Sequence, residues 1–132
     1  ERPITAIVLT SLKISFNVCV SPNTQKDSHK VAAYLQKVGY KIVPVYPKGE
    51  EILGERVYKS LKEIPFKIDM VDIFGKPAAV MPIVEAAIER GDVKVIWMQV
   101  GIVNNEAAKK AKEAGMKVVQ NRCSMVDHKN LV

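Results

Sequence analysis

An open, doubly wound α/β domain with a parallel sheet is the fold class that this sequence of 132 residues predicts. Three observations carry the prediction. Apolar residues at helical spacing recur along the chain, each such stretch closes on a glycine, and each is followed by a short apolar run. Several runs are apolar at consecutive positions, as a strand must be when helices cover both faces of its sheet. Strands that alternate with helices imply right-handed crossovers between parallel neighbours.

The first strand is expected over residues 14–20. Val31, Tyr34, Leu35 and Val38 then fall at i, i+3, i+4 and i+7, one face of a helix, and Gly39 stops it. A second strand follows over residues 41–46. The connection 48–65 holds a little helix around 60–64, and a third strand covers 68–74. Val80, Ile83, Val84 and Ala87 repeat the helical spacing up to Gly91, with a fourth strand over 93–100. Asn104 is placed to cap a helix carrying Ala107, Ala108 and Ala111. Gly115 ends it, and residues 116–120 form the last strand. The expected sheet has five strands in the order 3-2-1-4-5, within a three-layer α/β/α domain spanning 1–132.

Composition narrows the partners. Lys and Arg number 20 against 14 Asp and Glu, a formal net charge of +6, which favours anionic ligands. Two cysteines, Cys19 and Cys123, are too few for a disulfide scaffold and suit a reducing, cytoplasmic compartment. The apolar stretch 4–9 is too short for a membrane span. Neither a helix-turn-helix pattern nor the aromatic-rich strands of RNA readers occur, so nucleic acid is disfavoured.

Ligands of such sheets sit beyond the carboxyl ends of the strands, where the strand order reverses. The segment SPNTQKDSHK leads from the first strand into the first helix. Asp27 or Ser28 is expected to cap that helix, leaving N–H groups that form an anion site with Lys26, Ser28, His29 and Lys30. The dinucleotide fingerprint G-x-G-x-x-G is absent from this turn. After the second strand the chain reads Tyr46-Pro47-Lys48, a lysine where an acid would hold a ribose diol. NAD is therefore disfavoured. A ribose bearing phosphate fits, as in NADP or, better, in coenzyme A with its additional pyrophosphate.

The segments SPNTQKDSHKVAAYLQKVGYKIVPVYPK, EEILGERVYKSLKEIP, DMVDIFGKP and NRCSMVDH resemble, in order over residues 13–128, the small stand-alone coenzyme A-binding domain family. That family is similar to the nucleotide-binding domain of the succinyl-CoA synthetase α subunit. The resemblance implies a Rossmann-like fold and coenzyme A, or an acyl-CoA, lying across the strand tips. It places the segment from Ser21 to Ser28, with Pro22, Asn23 and Lys26, against the pyrophosphate, and Val20 and His29 beside it are expected to join the coenzyme site. Tyr46, Pro47 and Lys48 fall at the adenosine end, Phe74, Lys76 and Pro77 along the adenine or pantetheine path, and Gln99 at the fourth strand's tip. Cys19 stands where the family pattern has glycine, and Lys26 and Lys30 stand where it has arginines.

The expected function is coenzyme A binding without chemistry of its own. The alternatives are the nucleotide-binding subunit of a CoA ligase working with a partner chain, or an NADP-type nucleotide binder. A homo-oligomer stays open. Ser28 beside His29 lacks an acid at triad spacing, and Cys123 with His128 does not make a zinc site. Trp97 reads as core. Asp72, an acid within an apolar strand, must be paired once buried and reads as the brace of a neighbouring loop. A disulfide between Cys19 and Cys123 is not expected, because in the expected order their strands stand two positions apart, about 10 Å from each other.

Overall fold

The computed structural model describes residues 17–21, 25–45, 50–74 and 76–131, without the side chains of 17–28, 52, 128 and 131. The chain runs β1 (Asn17–Ser21), α1 (Gln25–Lys37), β2 (Lys41–Pro44), β3 (Glu51–Ile52), β4 (Glu55–Arg56), β5 (Met70–Ile73), α2 (Val80–Arg90), β6 (Val95–Met98), α3 (Asn105–Glu113), β7 (Lys117–Val119) and α4 (Ser124–Leu131). Single 3-10 turns lie at Leu61–Glu63 and Pro77–Ala79. Among the described residues, no helix is long and apolar enough to cross a membrane.

Five strands form one sheet, all parallel, in the spatial order β2-β1-β5-β6-β7. Counting only these strands in chain order gives 2-1-3-4-5, which corrects the expected 3-2-1-4-5. The physical reason lies in two strands. Lys41-Ile42-Val43-Pro44 contains a proline, which lacks the N–H of a ladder bond and suits an edge. Met70-Val71-Asp72-Ile73 is buried at every position and takes the centre of the sheet. The exposed side of β2 is met by Tyr58, whose N–H donates to the Pro44 carbonyl at 3.0 Å. As a result the strand order reverses between β1 and β5.

Alternate residues of the central strands feed two cores. Val71, Ile73, Ile96 and Met98 pack under α2, α3 and the 61–64 turn. Met70, Val95 and Trp97 pack under α1 and the start of α4. The helix faces read from spacing are in place, with Val31, Leu35, Val84, Ala87, Ala107 and Ala111 buried. Asn104 caps α3, its Oδ1 accepting from the Ala107 N–H at 3.0 Å. Gly91 ends α2 at φ +80°, and its N–H returns to the Ala87 carbonyl. Trp97 is core, and its indole N–H donates to the Arg122 carbonyl at 2.7 Å.

Two elements carried no clear local signal. The β3–β4 hairpin turns on Leu53 and Gly54, both at positive φ (54° and 77°), as a two-residue type I′ turn requires. Leucine is a poor resident of that region. Here Leu53 packs against the α1 side of the core, and its carbonyl accepts from Gln36 Nε2 at 3.1 Å. Helix α4 lacks a clean apolar stripe, although Ser124-x-x-Asp127 is a helix-start pattern.

Candidate functional site

The carboxyl ends of β1, β5, β6 and β7 lie at one end of the sheet, as a parallel arrangement dictates. After β1, helix α1 begins at Gln25, so Asp27 and Ser28 are not its caps, as expected above, but lie inside the first turn. Gln25 and Lys26 are good helix formers and extend the helix backwards. An acid in the first turn still suits the positive end of the helix dipole. His29 and Lys30 are exposed.

The loops after β5, β6 and β7 are laced together. Gly101, at φ +84°, presents its N–H to Asn121 Oδ1 at 2.7 Å, and Asn121 itself sits at φ +57°. The Asn121 N–H donates to the Ile102 carbonyl and the Arg122 N–H to that of Met98. Asn104 ties in the third loop. Its Nδ2 donates to the Pro77 carbonyl at 2.9 Å, and its own N–H is received by Gln120 Oε1 at 2.8 Å. Arg122 forms a two-bond pair with the buried carboxylate of Asp127, at 2.9 and 3.0 Å, in the first turn of α4.

Segments 74–79, 99–104 and 120–123 contain no Asp or Glu and carry Lys76 and Arg122. Lys76 and Pro77 are exposed, Val100 is 67% exposed, and Phe74 is partly buried against the α1 side of the core. The rim thus carries one exposed lysine, Lys76, backbone and side-chain amides and some apolar surface, while the charge of Arg122 is met by Asp127.

Beneath the rim lies a closed polar cluster. Asp72, Gln99 and Ser124 are 0%, 4% and 0% exposed. Gln99 Nε2 donates to Asp72 Oδ1 at 2.5 Å and to Ser124 Oγ at 2.8 Å, and Ser124 Oγ donates to Asp72 Oδ2 at 2.7 Å. Burial pushes the Asp72 carboxyl up to about 6, against the opposing pull of the Gln99 and Ser124 hydrogen bonds. Asp72 thus braces the start of α4. The side chain of Gln99, taken from sequence as a ligand contact, is engaged inside the protein.

The sequence-derived site residues divide three ways. Phe74, Lys76, Pro77 and Gln99 come together at the tips of β5 and β6, and His29 lies exposed on α1. Val20 and Ser21 end β1, and Lys26 and Ser28 occupy the first turn of α1, with side chains outside the description. Pro22, Asn23, Tyr46, Pro47 and Lys48 lie outside the described residues, as does the Cys19 side chain. Among the described residues, no group of three or more His, Cys, Asp or Glu is placed to hold a metal. Cys123 is a free, partly buried thiol. Ser124 was missed from sequence, although Ser124-x-x-Asp127 is a helix-start pattern.

A parallel sheet wound on both sides, with its loops gathered at the strand tips around a reversal of strand order, defines a Rossmann-like α/β domain. The family model described as "CoA binding domain" matches residues 18–129, and the chain belongs to that family. The "Uncharacterized protein YneT" of Bacillus subtilis (strain 168) is 38% identical over 111 residues, 84% of this chain and 82% of the relative. A solved "hypothetical protein from Pyrococcus horikoshii OT3" is 42% identical with a TM-score of 0.85, covering 99% of this chain and 96% of that one. A more distant match in fold is the dinucleotide-forming acetyl-coenzyme A synthetase 1 of Ca. Korarchaeum cryptofilum, 21% identical with a TM-score of 0.65. That match covers 77% of this chain and 25% of the synthetase.

Proposed function

We propose that this chain is a cytoplasmic coenzyme A or acyl-CoA binding module, single over 1–132, with no chemistry of its own. One observation carries the reading: the family match runs over nearly the whole of the described sheet and its strand-tip loops. The coenzyme lies over the β1–β5 reversal. Its pyrophosphate meets the segment from Val20 to the first turn of α1, including Pro22, Asn23, Lys26, Ser28 and His29. The adenosine end meets Tyr46, Pro47 and Lys48, and Phe74, Lys76 and Pro77 border the remaining path. Gln99 supports the strand tips from below.

Thermal melting tests this. At about a hundred times its dissociation constant, coenzyme A stabilises the fold by about 2.7 kcal/mol, more than NAD, NADP or ATP at the same concentration. In the same assay, Lys48→Ala weakens coenzyme A by on the order of 1.5–3 kcal/mol and leaves 3′-dephospho-coenzyme A nearly unchanged. Melting shifts with NAD or NADP that equal those with coenzyme A sink the reading.

The fold match to the synthetase supports a second reading, a nucleotide-binding subunit that serves a ligase on a partner chain. Size-exclusion chromatography of the natively expressed protein separates the two. A complex with a larger chain favours the subunit, and a free module that carries coenzyme A favours the first reading.

A further inference from the structure

The side chains of Asp72, Gln99 and Ser124 are closed off beneath the rim, while the Gln99 backbone belongs to it, its carbonyl accepting from the Ile102 N–H at 3.0 Å. Asp72 lies next to last in β5, beside Val20 of β1 and Trp97 of β6. Gln99 directly follows β6, and Ser124 is the first residue of α4. The three side chains are closed to solvent and bonded to one another. We propose that this cluster is a proton-linked tie, through which protonation of Asp72 and binding of an anionic ligand at the strand tips reinforce each other. The inference rests on the functional reading above for the position and charge of the ligand.

The chemistry follows from the donor count. Ionised Asp72 only accepts, taking one hydrogen bond from Gln99 and one from Ser124. Once protonated, its O–H finds an acceptor in Ser124 Oγ, which reverses that hydrogen bond and turns the hydroxyl at the start of α4. A buried carboxylate beneath the strand tips repels an anion above it, and neutral Asp72 does not. Its carboxyl, pushed up to about 6 by burial, changes charge close to neutrality.

Among the described side chains, the other titratable groups on the packed elements leave this charge uncompensated. From α4, Asp127 is taken up by Arg122. From the α1 side, Val31, Ala32 and Leu35 face inward with Tyr34 and Tyr40, while His29 and Lys30 are exposed. β6 contributes Trp97, and Gln99 follows it; neither titrates. Lys26, Asp27 and His128 share these elements, their side chains lying outside the description.

The test uses 3′-dephospho-coenzyme A, which lacks the phosphate monoester whose second ionisation, near pH about 6, would overlap with that of Asp72. Carbon-13 NMR follows the Asp72 carboxyl of the wild-type protein with and without saturating ligand, and calorimetry gives Kd at about pH 5 and about pH 7.5. The ligand raises the Asp72 midpoint by about 0.7 pH unit, and Kd tightens by the matching factor, on the order of fivefold, as pH falls. Asp72→Asn, which keeps the shape, shows a pH dependence of Kd weaker than that of the wild type by this same factor. An unmoved Asp72 midpoint in a protein that does bind overturns the tie alone, and the NMR measurement needs no variant. Absence of binding at both pH values overturns the functional reading itself.

Discussion

Arg90→Ala is expected to lower the stability of the fold by about 3–5 kcal/mol, the scale for stranding a shielded, hydrogen-bonded charge partner. The side chain of Arg90, 11% exposed, leaves the last turn of α2 and reaches three backbone carbonyls. Nη1 donates to Leu61 at 2.6 Å and to Ile64 at 3.0 Å, and Nη2 donates to Phe66 at 2.7 Å. Nε and Nη2 also grip Asp92, at 3.1 and 2.9 Å. Asp92 Oδ2 in turn accepts the Ile68 N–H at the approach to β5. Burial alone would push the Asp92 carboxyl up, but the Arg90 and Ile68 hydrogen bonds outweigh it and hold it below its ordinary value.

Alanine strands three carbonyls and one carboxylate together, each costing about 1–3 kcal/mol where water cannot replace the donor. Arg90→Lys keeps the charge but cannot fork, so it recovers the smaller part of the loss. Urea denaturation of the three proteins measures both values. A loss under about 1 kcal/mol for Arg90→Ala would show that Leu61, Ile64 and Phe66 hold the segment by packing alone.

The second large effect is on the pH dependence of stability, and Asp72 carries it. Its carboxyl rises from 3.8 to about 6 on folding, so between those values the folded state binds more protons than the unfolded one. The stabilising contribution is therefore complete below pH about 4 and is lost as pH climbs through about 6. At roughly 1.4 kcal/mol per pH unit, the loss amounts to about 3 kcal/mol. Asn at position 72 mimics the protonated acid, since its oxygen accepts from Gln99 and its N–H2 donates to Ser124 Oγ. Asp72→Asn should match the wild type near pH about 4 and exceed it by up to about 3 kcal/mol near pH about 7.5. Parallel stability curves for the two proteins across this range would mean that Asp72 does not titrate on its own.

Much of this was legible locally. The apolar spacing of Val31, Leu35, Val84 and Ala87, the Asn104 cap, the glycine stops and the short turn around Leu61 all reflect interactions within a few residues. The burial of Trp97 was legible from the apolar run around it, although the contacts that bury it are distant in the chain. Asp72 was also legible in kind: an acid in an apolar strand has few ways to be tolerated, and bracing a loop is one of them. The partners, Gln99 and Ser124, were not, because they lie 27 and 52 residues away in the chain.

Strand order belonged to the tertiary structure. The five apolar runs are interchangeable by periodicity, and what ranks them is how many faces and edges each one buries. Pro44 in β2 and the unbroken burial of β5 put one strand at the edge and the other at the centre. The same holds for Leu53, whose left-handed backbone is held by its packing and by Gln36, and for Arg90, whose donors meet carbonyls 24–29 residues away. The sequence by itself determined where the five parallel strands and the first three helices form, though not the β3–β4 hairpin or α4, because the former depend on neighbours along the chain. The tertiary structure decided which strands adjoin, which polar groups meet in the interior, and which loops gather at the strand tips, because those depend on contacts between residues far apart in sequence.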